Sequence, residues 1–288
     1  MLSLYKALTH NNKIMNVAIS NTLNWNILKS FSNDGQDCFH FADVIKRFPT
    51  SERQYLSNVL SMMVQKGMLI KLRKDIYFIV PIDSDASTYI PDWHLLAKEL
   101  VKEKKYYIGY YSAMQIHGLI TQPSLSEIIV TDTQMKPSKL TIKGVEFQFV
   151  THTKARFFGF KNTWINKHDK VMVSNLEKTL VDALTKPHLC GGIVEISKAI
   201  YETRDKVNLE LLIEYLIKND SNAAIKRYLF LCDLLDINWT SFHESMLGKL
   251  VSNYSLLDTS APNEGKYNSK FGLKINMDVL TIKNAIYS

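Results

Sequence analysis

Residues 51–80, SERQYLSNVLSMMVQKGMLIKLRKDIYFIV, decide the fold of the amino-terminal part of this chain. At 3.6 residues per turn, the first half of this stretch predicts a helix with one apolar and one polar arc. The apolar arc contains Tyr55, Leu56, Val59, Leu60, Met62 and Met63, and the polar arc contains Arg53, Gln54, Ser57, Asn58 and Ser61. The polar arc has no acidic residue, and Gly67 is expected to end the helix. Such side chains suit nucleic acid: arginine binds guanine or phosphate, asparagine and glutamine bind adenine, and serine binds either.

Two β-prone segments follow this helix. Met68–Leu72 and Ile76–Val80 are separated only by Arg73, Lys74 and Asp75, which predicts a tight hairpin with two cations at its tip.

Two further helices are predicted upstream. One contains Phe41, Val44, Ile45 and Phe48 at helical spacing and ends before Pro49, because a residue preceding proline avoids the helical region. The other contains Leu23, Ile27, Leu28 and Phe31 and ends in the loop 32–35. The order helix, helix, helix, hairpin is that of a winged helix-turn-helix, and we predict such a DNA-binding domain over residues 1–82.

The charge distribution favours the same interpretation. Residues 1–82 contain ten Lys and Arg against five Asp and Glu, a net charge of +5 out of +7 for the whole chain. A concentrated positive charge is typical of nucleic-acid-binding domains. Two alternatives stay open: a winged helix that binds protein, and a capping box between Ser51 and Gln54 that would turn Gln54 away from a base.

The predicted DNA contacts come from three places. The helix over residues 53–65 is expected to enter the major groove, the hairpin tip to contact the backbone or minor groove, and a basic pair before the turn to contact phosphate. The candidate residues are Lys46, Arg47, Arg53, Gln54, Ser57, Asn58, Ser61, Arg73 and Lys74.

Composition bounds the remaining possibilities. With 288 residues and 46% hydrophobic residues, the chain is expected to form about two globular domains. No run of about 18 apolar residues occurs, and Met1–Thr9 lack the apolar core of a secretory signal, so we predict a cytoplasmic protein without membrane contact. The cysteines are far apart, and His188 with Cys190 would need two more ligands to bind a metal, so we predict no metal, no cofactor and a buried Cys190 thiol.

A linker is predicted over residues 83–91, where aspartate and serine interrupt the hydrophobic pattern. Residues 92–190 predict a mixed α/β part, with Gly118 ending a helix, a hairpin turning at Lys143 and Gly144, and a helix capped by Asn175. Residues 191–288 predict helices near 193–203, 208–218, 222–236 and 241–251, then an extended segment up to 277. The predicted fold class is α+β.

The sequence contains no motif of a known catalytic centre. Phosphate-binding loops, nucleophile elbows, zinc-protease helices and dinucleotide fingerprints are absent, as is a Gly-Ser turn with a spaced pair of carboxylates. We interpret His117 as a hydrogen-bonded core histidine and Glu177, Lys178 and Asp182 as structural residues. The chain is therefore predicted not to be an enzyme, with a catalytic pair of His117 and Asp182 as a rival hypothesis.

Four short segments, in order, resemble the AbiEi abortive-infection antitoxins. YYSAMQIHGL at Tyr110–Leu119 resembles their SAL-x-x-HGL segment, and SNLEKTLVD at Ser174–Asp182 resembles their EKTLxD helix, followed by Pro187 and a Gly-Gly pair. IKRYL at Ile225–Leu229 is similar to a late helix that in the family usually reads Arg-Leu-Gly, and KFGLKIN at Lys270–Asn276 is similar to the terminal strand.

This resemblance implies the antitoxin of a type IV toxin-antitoxin (abortive infection) system. Its winged helix, helped by the second domain, would repress the operon promoter by binding double-stranded DNA at repeated sites. Its second domain would antagonise a nucleotidyltransferase toxin, in many cases without a stable complex. The alternative is a stand-alone winged-helix transcriptional regulator with a ligand-sensing C-terminal domain.

Overall fold

The computed structural model describes residues 22–101, 104–120, 122, 124–167, 169–237, 246, 250 and 253–287. The fold is α+β, and the chain divides into two compact units, Met1–Asp92 and Trp93–Ser288.

The first unit packs three helices on a small antiparallel sheet. Its elements are α1 (residues 22–32), β1 (Cys38–His40), α2 (Phe41–Arg47), α3 (Arg53–Gln65), β2 (Leu69–Arg73) and β3 (Ile76–Ile79). The strand order is β1-β3-β2. Its core joins Ile27 and Phe31 of α1 to Leu56, Leu60 and Met63 of α3, all with no exposed surface.

Glycine ends α3 as predicted. Gly67 has φ +71°, a left-handed conformation that glycine adopts without a steric penalty. The N–H of Met68 reaches back to the carbonyl of Met63 at 2.9 Å, as in a Schellman motif. The predicted hairpin is also confirmed, with Arg73 paired to Ile76 and only two residues, Lys74 and Asp75, in the turn.

The segment predicted as a linker packs on the first unit. The Tyr89 ring stacks on Phe78 with 5.8 Å between centroids, and Ala86 lies beside Gly67. This packing places Asp83, Asp85 and Asp92 in the first unit, which then has ten cations, eight acids and a net charge of +2. Residues 93–288 hold the remaining +5. The predicted concentration of charge therefore does not hold for the unit as it folds.

The second unit is built on a mixed six-stranded sheet. The strands are β4 (Tyr106–Ile108), β5 (Ser126–Thr131), β6 (Lys139–Ile142), β7 (Val145–Thr151), β8 (Phe160–Trp164) and β9 (Lys170–Ser174). Their order is β6-β7-β5-β4-β9-β8. Pairs β5/β7 and β4/β9 are parallel, and the other neighbours are antiparallel.

Helices surround one central helix in this unit. They are α4 (Trp93–Val101), α5 (Tyr110–Ile116), α6 (Leu176–Thr185), α7 (Ile193–Thr203), α8 (Leu209–Lys218), α9 (Asn222–Leu234) and α10 (Val279–Tyr287). Helix α6 contacts α5, α7, α8 and α9. Its residues Glu177–Asp182 are therefore buried among these helices. A second sheet, β10 (Ser255–Leu256), β12 (Leu273–Ile275) and β11 (Lys266–Asn268) in that order, contacts α9 through β10.

Several local predictions for this unit are confirmed. Gly118 has φ +69° after α5, and Lys143 and Gly144 both have positive φ in the β6–β7 turn. The Asn175 side chain accepts the N–H of Lys178 at the start of α6. Strand β8 and helix α10 were not predicted, and most of the helix predicted at 241–251 lies outside the described residues. Among the described helices, none has the length and apolar character required to span a bilayer.

Candidate nucleic-acid interface

The two faces of α3 are separated as its sequence predicts. Arg53, Gln54, Asn58 and Ser61 are exposed and Ser57 is half-buried, whereas Leu56, Val59, Leu60 and Met63 are buried. Tyr55 is 38% exposed and Met62 is half-buried, so the buried arc is narrower than predicted. At 100° per residue, both side chains lie about 90° or more from the centre of that arc.

The exposed face of α3 carries its own hydrogen bonds. The Gln54 amide Nε2 donates to the Asn58 Oδ1 at 3.1 Å, one helical turn on. The alternative left open by the sequence, a capping box between Ser51 and Gln54, does not form, because Glu52 is the N-cap residue and the Gln54 amide bonds to Asn58. The Ser61 hydroxyl donates to the Ser57 carbonyl at 2.9 Å and stays close to the helix.

The start of α2 connects the start of α3 to the hairpin turn. The Arg53 guanidinium lies 5.6 Å from the centre of the Phe41 ring, and the Phe41 N–H donates to the Asp75 carbonyl at 2.9 Å. Asp75 has φ +68° in this turn. One residue of α2 thus contacts both the first residue of α3 and the tip of the β2–β3 hairpin.

The hairpin presents one cation more than was predicted. Lys74 is exposed at the turn, Arg73 is half-buried, and Lys71 is exposed on β2 with its Nζ 5.9 Å from the Tyr77 ring centre. The alternation of Lys71 and Arg73 along one strand, with buried Leu72 between them, is the signal that could have identified Lys71.

The two predicted phosphate contacts of α2 differ. The Lys46 side chain is 79% exposed and lies 4.0 Å from Asp43. The Arg47 guanidinium instead lies 2.7 Å from the Asp34 carboxylate, donates to Gln36 at 2.9 Å and to the Ser30 carbonyl, and stacks 4.0 Å over the Phe31 ring. Arg47 therefore ties α2 to α1, a use that sequence reasoning could not detect because its partners lie 11 to 17 residues away.

The motif residues of α6 are used inside the second unit. The Lys178 Nζ and the Asp182 Oδ1 are 2.7 Å apart, and these side chains are 0% and 1% exposed. Burial lowers the pKa of the Lys178 amine, and the Asp182 charge opposes this shift. The Glu177 carboxylate accepts the N–H of Asn208 at the start of α8 at 3.0 Å. Lys178 and Asp182 thus form an enclosed ion pair four residues apart on α6, which agrees with the structural role that the sequence predicts for them.

A chain of hydrogen bonds extends from this pair. The Tyr107 hydroxyl donates to the Asp182 Oδ2 at 2.9 Å, so its oxygen accepts from the His152 Nδ1 at 3.1 Å. The His152 Nε2 then accepts the Tyr110 hydroxyl at 2.7 Å. Burial lowers the pKa of His152 to about 4, with Lys178 adding to the shift and Asp182 opposing it. Burial also raises the pKa of both tyrosines well above the usual range. At neutral pH this network holds an uncharged imidazole.

His117 and Asp182 do not share a hydrogen-bond partner. The His117 Nε2 lies 2.8 Å from the Ser174 carbonyl, and burial lowers the pKa of its ring. This is the hydrogen-bonded histidine that the sequence predicts. Within the described ranges, no group of three His, Cys, Asp or Glu side chains is arranged for a metal ion. Cys190 is fully buried, which raises the pKa of its thiol well above the usual range.

The remaining segments of the resemblance also form internal contacts. The Arg227 guanidinium donates to the carbonyls of Leu184, Leu256 and Leu257 at 2.7–3.0 Å. Burial lowers the pKa of Arg227 to about 10. Lys226, also buried, donates to the Asn253 carbonyl. These bonds connect α9 to the end of α6 and to β10.

No family model matches this chain, and no curated protein matches it. Among solved structures, the chain is similar to the RV2827C protein from Mycobacterium tuberculosis, with a TM-score of 0.68. The two sequences are 15% identical, and the alignment covers 93% of this chain and 95% of that chain. At this identity the likeness concerns the fold alone.

Proposed function

We propose that the first unit is a winged helix-turn-helix and that the protein is a DNA-binding transcriptional repressor of the AbiEi antitoxin type. The observation that carries this proposal is the exposed face of α3, which is polar, contains no acid and lies beside a cationic hairpin. A helix of this width fits the major groove of B-DNA, which is about 12 Å wide.

Each part of this surface has a distinct role in the proposal. Arg53, Gln54, Ser57, Asn58 and Ser61 face the major groove, with α1 and α2 supporting α3 from behind. The hairpin is the wing, and Lys71, Arg73 and Lys74 contact the backbone or the minor groove. Lys46 contacts phosphate. Arg47 is left out, because its guanidinium is already bound to Asp34 and Phe31.

The antitoxin part of the proposal is supported by the resemblance of four ordered segments in the second unit. We propose that this unit antagonises a nucleotidyltransferase toxin encoded in the same operon, in the cytoplasm. The proposal includes no catalytic step, because the side chains around Asp182 are hydrogen-bonded to one another.

The alternative is a regulator that senses a small ligand, and the cavity in the described helices of the second unit is small for such a ligand. A cavity between α6, α7, α8 and α9, lined by Leu180, Leu212 and Tyr228 among others, has a volume of about 40 Å³. Small-molecule sites are typically about 300–1,000 Å³.

DNA binding is tested by fluorescence anisotropy on a duplex from the operon promoter and on a random duplex, at several salt concentrations. Changing Arg73 and Lys74 together to Ala should weaken binding to both duplexes. The log–log salt dependence should also become flatter, by about 0.9 for each phosphate that the variant no longer neutralises. The matched control removes Lys161 and Lys167, two exposed lysines of the β8–β9 hairpin. An unchanged slope, or equal flattening in the control, would refute the wing assignment.

The antitoxin role is tested by co-expression with the nucleotidyltransferase of the proposed operon. The Arg73/Lys74 variant should derepress the promoter yet still rescue growth, because the second unit is unchanged. If the natural protein gives no rescue, or if the operon contains no such gene, this part of the proposal fails.

A further inference from the structure

The amide pair of Gln54 and Asn58 lies on the exposed side of α3. We infer that Asn58, oriented by Gln54, recognises an adenine base in the major groove. This inference rests on the proposed DNA binding and specifies which base the exposed face of α3 recognises.

The hydrogen bond between the two amides leaves a defined set of free groups. Gln54 Nε2 donates to Asn58 Oδ1 at 3.1 Å, which occupies one of the two lone pairs of that oxygen. Asn58 keeps one lone pair on Oδ1 and two N–H groups on Nδ2, which bond to no other described residue. A single planar amide therefore presents an acceptor and a donor side by side.

Adenine is the base whose major-groove edge matches this pattern. It offers the N7 acceptor and the N6 amino donor, so that Asn58 can form two hydrogen bonds with it. Guanine offers two acceptors, N7 and O6, and the Asn58 oxygen would then face O6. Cytosine and thymine each offer a single suitable group.

Gln54 is the positioning residue of this pair. Its hydrogen bond fixes the orientation of the Asn58 amide before DNA binds. The Asn58 side chain therefore loses less conformational entropy on binding than an unrestrained asparagine would. The neighbouring hydroxyl does not compete, because Ser61 donates to the Ser57 carbonyl. Buried Leu56, Val59 and Leu60 hold the helix beneath the pair.

The experiment begins with full-length protein and a randomised duplex library. The selected site should contain an adenine whose replacement by guanine weakens binding about 5- to 150-fold. Replacing the same base by 7-deaza-adenine, which lacks only the N7 acceptor, should give a smaller loss. In the Asn58→Ala variant, neither base replacement should weaken binding beyond the loss caused by the substitution itself.

Gln54→Met removes the amide but keeps the length of the side chain. It should reduce the preference for adenine over guanine more than it reduces total affinity, because Asn58 loses its fixed orientation. Gln65→Ala removes an exposed amide farther along α3 and should leave the preference unchanged.

The outcomes separate this inference from the proposal beneath it. If the protein selects a duplex, but no adenine is sensitive or Asn58→Ala weakens cognate and random DNA equally, adenine reading is refuted and DNA binding stands. If no duplex is selected even at low salt, the proposed DNA binding itself is refuted.

Discussion

Helices α3 and α6 each contain a polar pair spaced by four residues, and the surroundings give the two pairs opposite roles. Gln54 and Asn58 are neutral and exposed, whereas Lys178 and Asp182 are charged and almost completely buried. Both oxygens of the Asp182 carboxylate are hydrogen-bonded within the unit, one to Lys178 and the other to Tyr107. The α3 amides keep free donors and acceptors that a partner can use.

The difference teaches that a sequence motif does not by itself identify a binding site. The resemblance to a known family is carried largely by residues that hold the second unit together, including Glu177, Lys178, Asp182 and Arg227. The residues that we propose to contact DNA lie in the first unit, outside those segments.

The largest expected effect breaks the buried pair. Asp182→Ala leaves the Lys178 charge buried without its partner and should lower the free energy of unfolding by about 3–5 kcal/mol. Urea unfolding followed by circular dichroism measures this change. The double variant Lys178→Met, Asp182→Leu should recover most of the stability, because it removes both charges. Asn58→Ala should change stability by less than about 0.5 kcal/mol.

The second test uses pH to protonate His152 in the buried network. Because the pKa of His152 is about 4 in the folded protein and near 6.5 in the unfolded chain, protons bind preferentially to the unfolded chain below pH 6.5. Stability is therefore retained above pH 6.5 and lost as the pH falls toward 4. We expect a loss of about 2 kcal/mol between pH 7 and pH 5, measured from melting curves. If His152→Gln loses as much stability over the same range, the assignment to His152 is wrong.

The third test compares two neighbouring cations of α2. Arg47→Ala should destabilise the first unit by about 1–2 kcal/mol, because it removes bonds to Asp34, Gln36 and Ser30. Lys46→Ala should leave stability unchanged and weaken DNA binding at low salt. Denaturant unfolding and anisotropy on the same two variants measure both quantities. The opposite pattern would exchange the roles of the two residues.

The smallest expected effect concerns the acid that precedes α3. Glu52 is exposed at the N-cap and makes no cap hydrogen bond with its side chain. Glu52→Gln should tighten DNA binding a few-fold at low salt, because a negative charge near phosphate is removed, and the gain should vanish at high salt. A gain that persists at high salt would show that charge is not its cause.

The sequence predicted correctly those structural features that depend only on neighbouring residues in the chain. Gly67 and Gly118 end helices, Lys143 and Gly144 form a turn, and Asn175 caps α6, each for reasons contained within a few residues. Strand β8 was missed because Phe160–Trp164 is a half-exposed edge strand without a buried apolar run. The strand forms through its antiparallel hydrogen bonds to β9, which the hydrophobic pattern of residues 160–164 does not reveal.

The candidate site was predicted less completely, because charge and hydrogen bonding depend on distant partners. The segment 83–91 looks like a linker from its composition, but the stacking of Tyr89 on Phe78 adds its acids to the first unit. Arg47 has the sequence context of a phosphate contact, but Asp34 and Phe31 bind its guanidinium. The polar face of α3 was predicted correctly because it depends only on helical spacing.

Asp258 joins parts of the second unit that are far apart in the chain. Its carboxylate accepts the N–H of Ile193 at the start of α7 at 2.8 Å, and the Asn276 amide bonds to its backbone at 2.7 and 2.9 Å. The close approach of Gly192 belongs to the same junction, since a Cβ there would lie 2.8 Å from the Asp258 carboxylate. In genetic terms, a nonsense codon just upstream of Asn276 should behave as a loss-of-function allele, because the product lacks the amide that binds Asp258.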